Sequence, residues 1–141
     1  MPGCVIRAAG ERFNVDEFLA SSTLRPGAIH RRGEPRFPGA EANRVSNTSG
    51  FNLVVSDDDG DDQGVRQVAD ARAFIERNRQ ELQRLSSRDD VELCLDFGCF
   101  IREGIFAKFI RLPVEIVREC AALGIGIEIS VYAADGPATD I

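Results

Sequence analysis

The sequence contains no tryptophan, one tyrosine, one methionine, one histidine and one lysine among 141 residues. With His30 as its only imidazole, the chain offers little to a zinc site. Cys94 and Cys99 form a Cys-x4-Cys pair, but no second close pair completes a ligand set. All four cysteines (Cys4, Cys94, Cys99 and Cys120) lie inside apolar runs, where thiols serve as small buried hydrophobes. Long apolar runs are missing as well: "FNLVV" and "GIFAKFI" fall far short of the ~20 residues that cross a bilayer. The start, "MPGCVIRAAGERFNVDEFL", lacks the basic region and apolar core of a secretory signal. Pro2 leaves no N-terminal glycine for myristoylation. The expectation is a cytoplasmic protein that does not engage a membrane.

Familiar catalytic signatures are also absent. There is no P-loop, no dinucleotide-binding glycine fingerprint, no Gly-x-Ser-x-Gly elbow and no His-Glu-x-x-His. No catalytic residue is nominated, no cofactor is expected, and a non-catalytic role is favoured. Basic stripes interleaved with aromatics are lacking too, which disfavours nucleic acid. The net charge is −6, but without the five aspartates of 57–62 it shrinks to −1. The acidity is therefore one loop, not a property of the whole surface.

What is present describes one ordinary domain, 43% hydrophobic and 28% charged, expected over 1–134 with a loose tail at 135–141. "CVIRAA" (4–9) reads as a strand. Asn14 caps a short helix over 14–22, with Glu17 three residues on and Val15, Phe18 and Leu19 on one face. Residues 28–50 are polar and mostly loop, with part pairing as an edge strand. "FNLVVS" (51–56) alternates as a strand. From 65 to 86, Val65, Val68, Ala71, Ile75, Leu82 and Leu85 mark one amphipathic helix. "DVELCLDF" (90–97) and "GIFAKFIRL" (104–112) read as two strands joined by a short loop. Pro113 opens a helix carrying Val114, Ile116, Val117, Cys120 and Leu123 on one side, and Gly124 ends it in a left-handed cap. "IGIEISVY" (125–132) alternates as a last strand. Residues 51–132 thus follow the order β-α-β-β-α-β. The expected fold is α+β and ferredoxin-like, a split βαβ with an antiparallel sheet and helices on one face. An additional N-terminal β-α unit extends that sheet.

Three stretches carry a family likeness: "FNVDEFLASSTLRPGAIHRRGEP", the long helix before "VELCLDF", and "LPVEIVRECAALGIGIEISVY". Leu24-Arg25-Pro26, Arg32-Gly33-Glu34, Leu123-Gly124 and Tyr132 stand at the matching positions. The chain resembles a bacterial family known as domain of unknown function 4279 over about 5–132. Phe51 stands where that family often has tryptophan, and Ser22-Thr23 replaces its usual glycine. The resemblance implies a fold and a bacterial source, and no activity.

Three constellations are candidate sites. The acidic loop partly fits a calcium loop, with Asp59, Asp61, Gln63 and Asp70 as ligands. Against that, a strand precedes it, Arg66 occupies an apolar position and Asp70 is short for a bidentate arm. A turn plus helix cap by Asp61 or Asp62 explains the acids more simply and is the favoured reading. The second is His30, Arg31, Arg32, Gly33 and Glu34, with Arg25 and Arg36 nearby, as a clamp for a small molecule or anion; the plainer alternative is a loop of surface ion pairs. The third is the polar side of the sheet (Glu92, Asp96, Lys108, Glu128 and Tyr132, with Ser130), read as an interaction surface beside the apolar Ile105, Phe106, Phe109 and Ile110. The favoured function is a protein-interaction module of regulatory or toxin-neutralising type, binding another protein and admitting a homodimer. Small-molecule or anion binding through Arg31-Arg32-Gly33, with or without catalysis, is the alternative, and calcium binding at 57–70 is the third.

Overall fold

The computed structural model describes residues 3–35 and 44–134. Arg36, and the tail expected at 135–141, lie outside the described residues. The strands are β1 (Gly3–Gly10), β2 (Ala28–His30), β3 (Ser49–Ser56), β4 (Glu92–Ile101) and β5 (Ile125–Ala133). The helices are α1 (Val15–Ala20), α2 (Val65–Arg77), α3 (Arg79–Ser86) and α4 (Val114–Ala122).

The strands form one mixed sheet in the order β2-β3-β1-β4-β5. β1 is antiparallel to both β3 and β4, while β4 and β5 are parallel. β3, β4 and β5 therefore run one way, and β1 and β2 the other. The expected N-terminal extension is in fact the middle strand. It fills the slot left when α2 and α3 carry the chain from β3 to β4, a crossover that parallel strands require.

The architecture is α+β as expected, but the ferredoxin-like hairpin between 90–97 and 104–112 is not formed. β4 continues through "GCFI" to Ile101 and pairs on one edge with β1 and on the other with β5. No edge remains for a hairpin partner, and 104–112 runs as irregular chain.

Strand alternation then decides which side chains are buried. Cys4, Ile6 and Ala8 of β1, Phe51 and Leu53 of β3, Leu93, Leu95 and Phe97 of β4, and Ile125 of β5 form the covered side. Against them lie Val68, Ala71, Phe74, Ile75, Leu82, Leu85, Ile116, Cys120 and Leu123 from the helices. Phe51 stacks on Phe18 with ring centroids 6.3 Å apart, and Phe13 stands 6.4 Å from it. A fully buried side chain of this size contributes about 1.5–3 kcal/mol. All four cysteines are free and three are buried. Burial pushes the Cys120 thiol up to about 11 and drives Cys4 higher still, so neither is a nucleophile at neutral pH.

The helix read over 65–86 is two helices. Asn78 Nδ2 donates 2.9 Å to the Phe74 carbonyl, a local bond that competes with the helical ladder, and the backbone departs there at φ −120°. Val65, Val114 and Val117 face solvent rather than the core. The small-scale signals held better. Asn14 Oδ1 accepts from the Glu17 amide at 3.1 Å, and Gly124 has φ +67° past the end of α4.

Glu81 of α3 fastens the segment after α1. Its carboxylate accepts from Ser22 Oγ, the Thr23 amide and Arg84, while the Arg84 guanidinium lies 4.8 Å over the Phe18 ring. Burial opposes ionisation of Glu81, but the Ser22 and Arg84 hydrogen bonds outweigh it and hold its pKa below the usual value of 4.5. A depressed carboxyl pKa stabilises the fold above the unfolded value and loses that effect as pH falls through the folded value. Glu81→Ala is therefore expected to cost about 1.5–3 kcal/mol at pH 7. In denaturant titrations at successive pH values, the gap to wild type should close as pH drops below about 4.5.

Candidate functional site

Because β3, β4 and β5 share one direction, their carboxyl ends lie at one end of the sheet. The connections 57–64, from β3 to α2, and 102–113, from β4 to α4, both leave from there. Open sheets with parallel strands characteristically place ligand-contacting loops at that end. Here the two connections are joined. Lys108 Nζ donates to Asp61 and to the Phe100 carbonyl, and the Arg111 amide donates 3.0 Å to the Gln63 carbonyl. Gly64 lies so close to Ile110 that a Cβ would stand 2.8 Å from its Cγ2. Beneath them Gln67, fully buried, donates from Nε2 to the carbonyls of Asp58 at 2.7 Å and Gly98 at 2.8 Å.

The aspartates are spread among separate partners. Asp58 accepts from the Gly60 amide, Asp59 from the Asp61 amide, and Asp62 from the Arg66 amide at the start of α2. Asp70 bonds Ser56 Oγ at 2.7 Å and Arg66. Of the residues read as calcium ligands, Asp61 goes to Lys108 and Gln63 is a turn residue with φ +63°. Among the described residues no group of three or more His, Cys, Asp or Glu is arranged to hold a metal. The helix cap itself is Gly64, with no side-chain cap bond.

Beside this loop stands an apolar one. Phe106 is fully exposed, and Ile105 and Phe109 are largely so. The order Ile105-Phe106-Ala107-Lys108-Phe109 sends the lysine down to Asp61 while both phenylalanines face water. Hydrogen bonding to Lys108 lowers the Asp61 pKa below 3.8.

The other face of the sheet carries no helix-packed core. Glu92, Asp96, Glu128 and Tyr132 share it as expected, together with Arg7, Cys94 and Ser130. Lys108 does not belong to it, since its segment is not a strand. Asp96 is only 3% exposed. Arg7 Nη2 donates to it at 2.6 Å and Ser130 Oγ at 2.8 Å, with Glu128 3.8 Å from Arg7 Nη1. Burial would lower the Arg7 pKa, but the bond to Asp96 and its charge raise it. Arg7 is the member of this cluster that the sequence reading does not single out. Arg7 had a readable signal, as the one charge in "CVIRAA", out of step with Ile6 and Ala8.

Towards β2 this face opens into a concavity of about 510 Å³ lined by Arg7, His30, Ser46, Asn47, Thr48 and Asn52, among others. His30 Nε2 lies 3.2 Å from Thr48 Oγ1. The rest of the expected anion clamp does not converge there. Arg31 forms a two-pronged pair with Asp16 at 2.7 and 2.9 Å. Arg32 Nη1 donates to the Glu11 carbonyl at 3.3 Å, and Gly33, at φ +86°, turns the chain so that the Glu34 amide bonds Arg31. Arg25 is spent on the carbonyls of Ser22 and Leu24.

A family model described as a domain of unknown function (DUF4279) matches residues 3–134. The chain belongs to that family. No curated protein and no solved structure gives a match. No helix among the described residues is long and apolar enough to cross a membrane.

The Lys108–Asp61 tie is expected to hold the acidic loop in place. An exposed pair is worth at most ~1 kcal/mol. Lys108→Met should therefore speed amide exchange at Gly60 and Asp61 by up to about fivefold. In wild type the same loosening should come with acid, the tie being intact above pH 3.8 and lost as pH falls through the depressed Asp61 value.

Proposed function

We propose that this domain is a protein-binding module that docks through the paired loops at the carboxyl end of its sheet. The observation that carries this reading is full exposure of Phe106, with Phe109 and Ile105, beside a loop holding five aspartates. Exposed aromatics of this kind act as anchors, since a buried Phe supplies most of its energy when a partner pocket removes it from water. The surrounding carboxylates select for a basic rim and accelerate encounter. The partner chemistry that fits is a protein surface with an apolar pocket ringed by arginine or lysine.

Capture of host protein on immobilised domain tests this when paired with variants. Phe106→Ala/Phe109→Ala should retain the wild-type unfolding midpoint and lose the captured partner, a loss of about 2 kcal/mol or more for anchor residues. Replacing the aspartates of 57–62 by asparagine should weaken capture chiefly at low salt. Capture that is indifferent to both changes removes the reading.

A second reading, small-molecule binding, is favoured by the concavity between Arg7 and His30. With the Arg7 charge already matched by Asp96, the groups free to recognise a ligand there are hydrogen-bonding amides and hydroxyls, which suits a neutral polar molecule. A saturable thermal shift with such a compound, abolished in Asn52→Ala, would carry this reading. No shift across a metabolite panel ends it.

A further inference from the structure

The two edges of the sheet are treated differently. β2 is three residues long and exposes little backbone, a common protection against unwanted pairing. At the other edge β5 is nine residues long, contains no proline or lysine, and pairs only with β4 among the described strands. Its helix-side residues Ile129 and Val131 are 48% and 58% exposed. A long apolar edge of this kind is a template for another strand.

From the self-complementarity of this edge we infer that it pairs with β5 of a second copy of the chain, antiparallel and centred on Ile129. Antiparallel pairing keeps helix-side residues opposite helix-side residues only in registers centred on a residue. Centring on Glu128 would set that carboxylate against its own copy, and like charges directly opposite are destabilising. Ile129 is the midpoint of Ile125–Ala133, so that register alone pairs the full strand with itself. It places Ile129 against Ile129 and Ile127 against Val131 on the helix side. On the open side it places Glu128 against Ser130 and Gly126 against Tyr132. Glu128 then faces no like charge directly opposite, and the ring covers a glycine, a pairing that helps pin register.

The helix layer agrees. A two-fold axis perpendicular to the sheet keeps both helix layers on one side, so the outer flank of each α4 faces the new seam. Ile116 and Cys120 mark the buried line of α4, and Glu119 is tied at 3.1 Å to Arg72 of α2. At about 100° per residue, Val117 stands on the opposite flank, away from α2, with Val114 next to it. Both valines are exposed. Strand edge and helix flank thus form one continuous apolar strip. It includes no residue of the 102–113 connection, and this inference does not depend on the proposed partner.

Sedimentation of the full chain at about 100 µM, where a dimer of micromolar Kd is formed, should give twice the 15.4 kDa chain mass. Ile129→Lys places two ammonium groups together at the two-fold and should give a monomer with unchanged circular dichroism. Val117→Lys, on the α4 flank, should weaken association at least tenfold. Should Ile129→Lys fail to fold, amide exchange in wild type decides: β5 amides should gain protection as concentration rises. A monomeric wild type, a dimer that persists in both variants, or β5 exchange independent of concentration overturns the inference.

Discussion

With β3 on one edge of β1 and β4 on the other, the N-terminal strand is held from both sides, and much of the molecule follows from that placement. β4 has β5 on its remaining edge, so it cannot turn back on itself, and the chain after Ile101 must leave the sheet. The same arrangement aligns β3, β4 and β5 and brings the acidic connection beside the aromatic one. It also sets Arg7 diagonally across from Asp96 on the uncovered face, where the carboxylate is nearly sealed from water yet held by a guanidinium and a hydroxyl. A carboxylate so buried persists because each of its oxygens is bonded.

The parts of this architecture that were legible in sequence are those governed by neighbours in the chain. Alternation in β3, β4 and β5 was readable because one side of each strand meets the helices. The caps at Asn14 and Gly124 were readable because they depend on one residue's geometry. What was not legible depended on distant pairing. "GIFAKFIRL" has the composition of a strand, but composition cannot say whether an edge is free to receive it. "CVIRAA" has the pattern of a strand and gives no sign of lying in the centre. The break at Asn78 was visible in principle, as a residue that competes for backbone bonds inside a helical pattern.

The candidate sites divide along the same line. The open-face set of Glu92, Asp96, Glu128 and Tyr132 follows from strand period alone; Asp96 and Glu128 are register neighbours, while Glu92 and Tyr132 stand at opposite ends of the face. Lys108 was placed with them only through the strand that does not form, and its true neighbour, Asp61, lies 47 positions away in sequence. The arginines of 25–32 looked available because sequence cannot count bonds already made to Asp16, Glu11 and the Ser22 carbonyl. Among the described residues of that group, His30 is the one that lines the concavity.

The central position of β1 also has a consequence for synthesis. Within the domain it is made before both of its partners: Ala9 waits for Gly50 of β3 and then for Glu92 of β4. Until β3 is complete at Ser56 both edges of this apolar strand are unsatisfied, and the edge that β4 will cover stays open until Ile101 has been made. Closing loops of that length before any pairing repays them is slow. A nascent chain of this domain therefore carries one edge of its most interior strand uncovered until β4 has been made, the interval in which a chaperone or a ribosome-bound factor has most to shield.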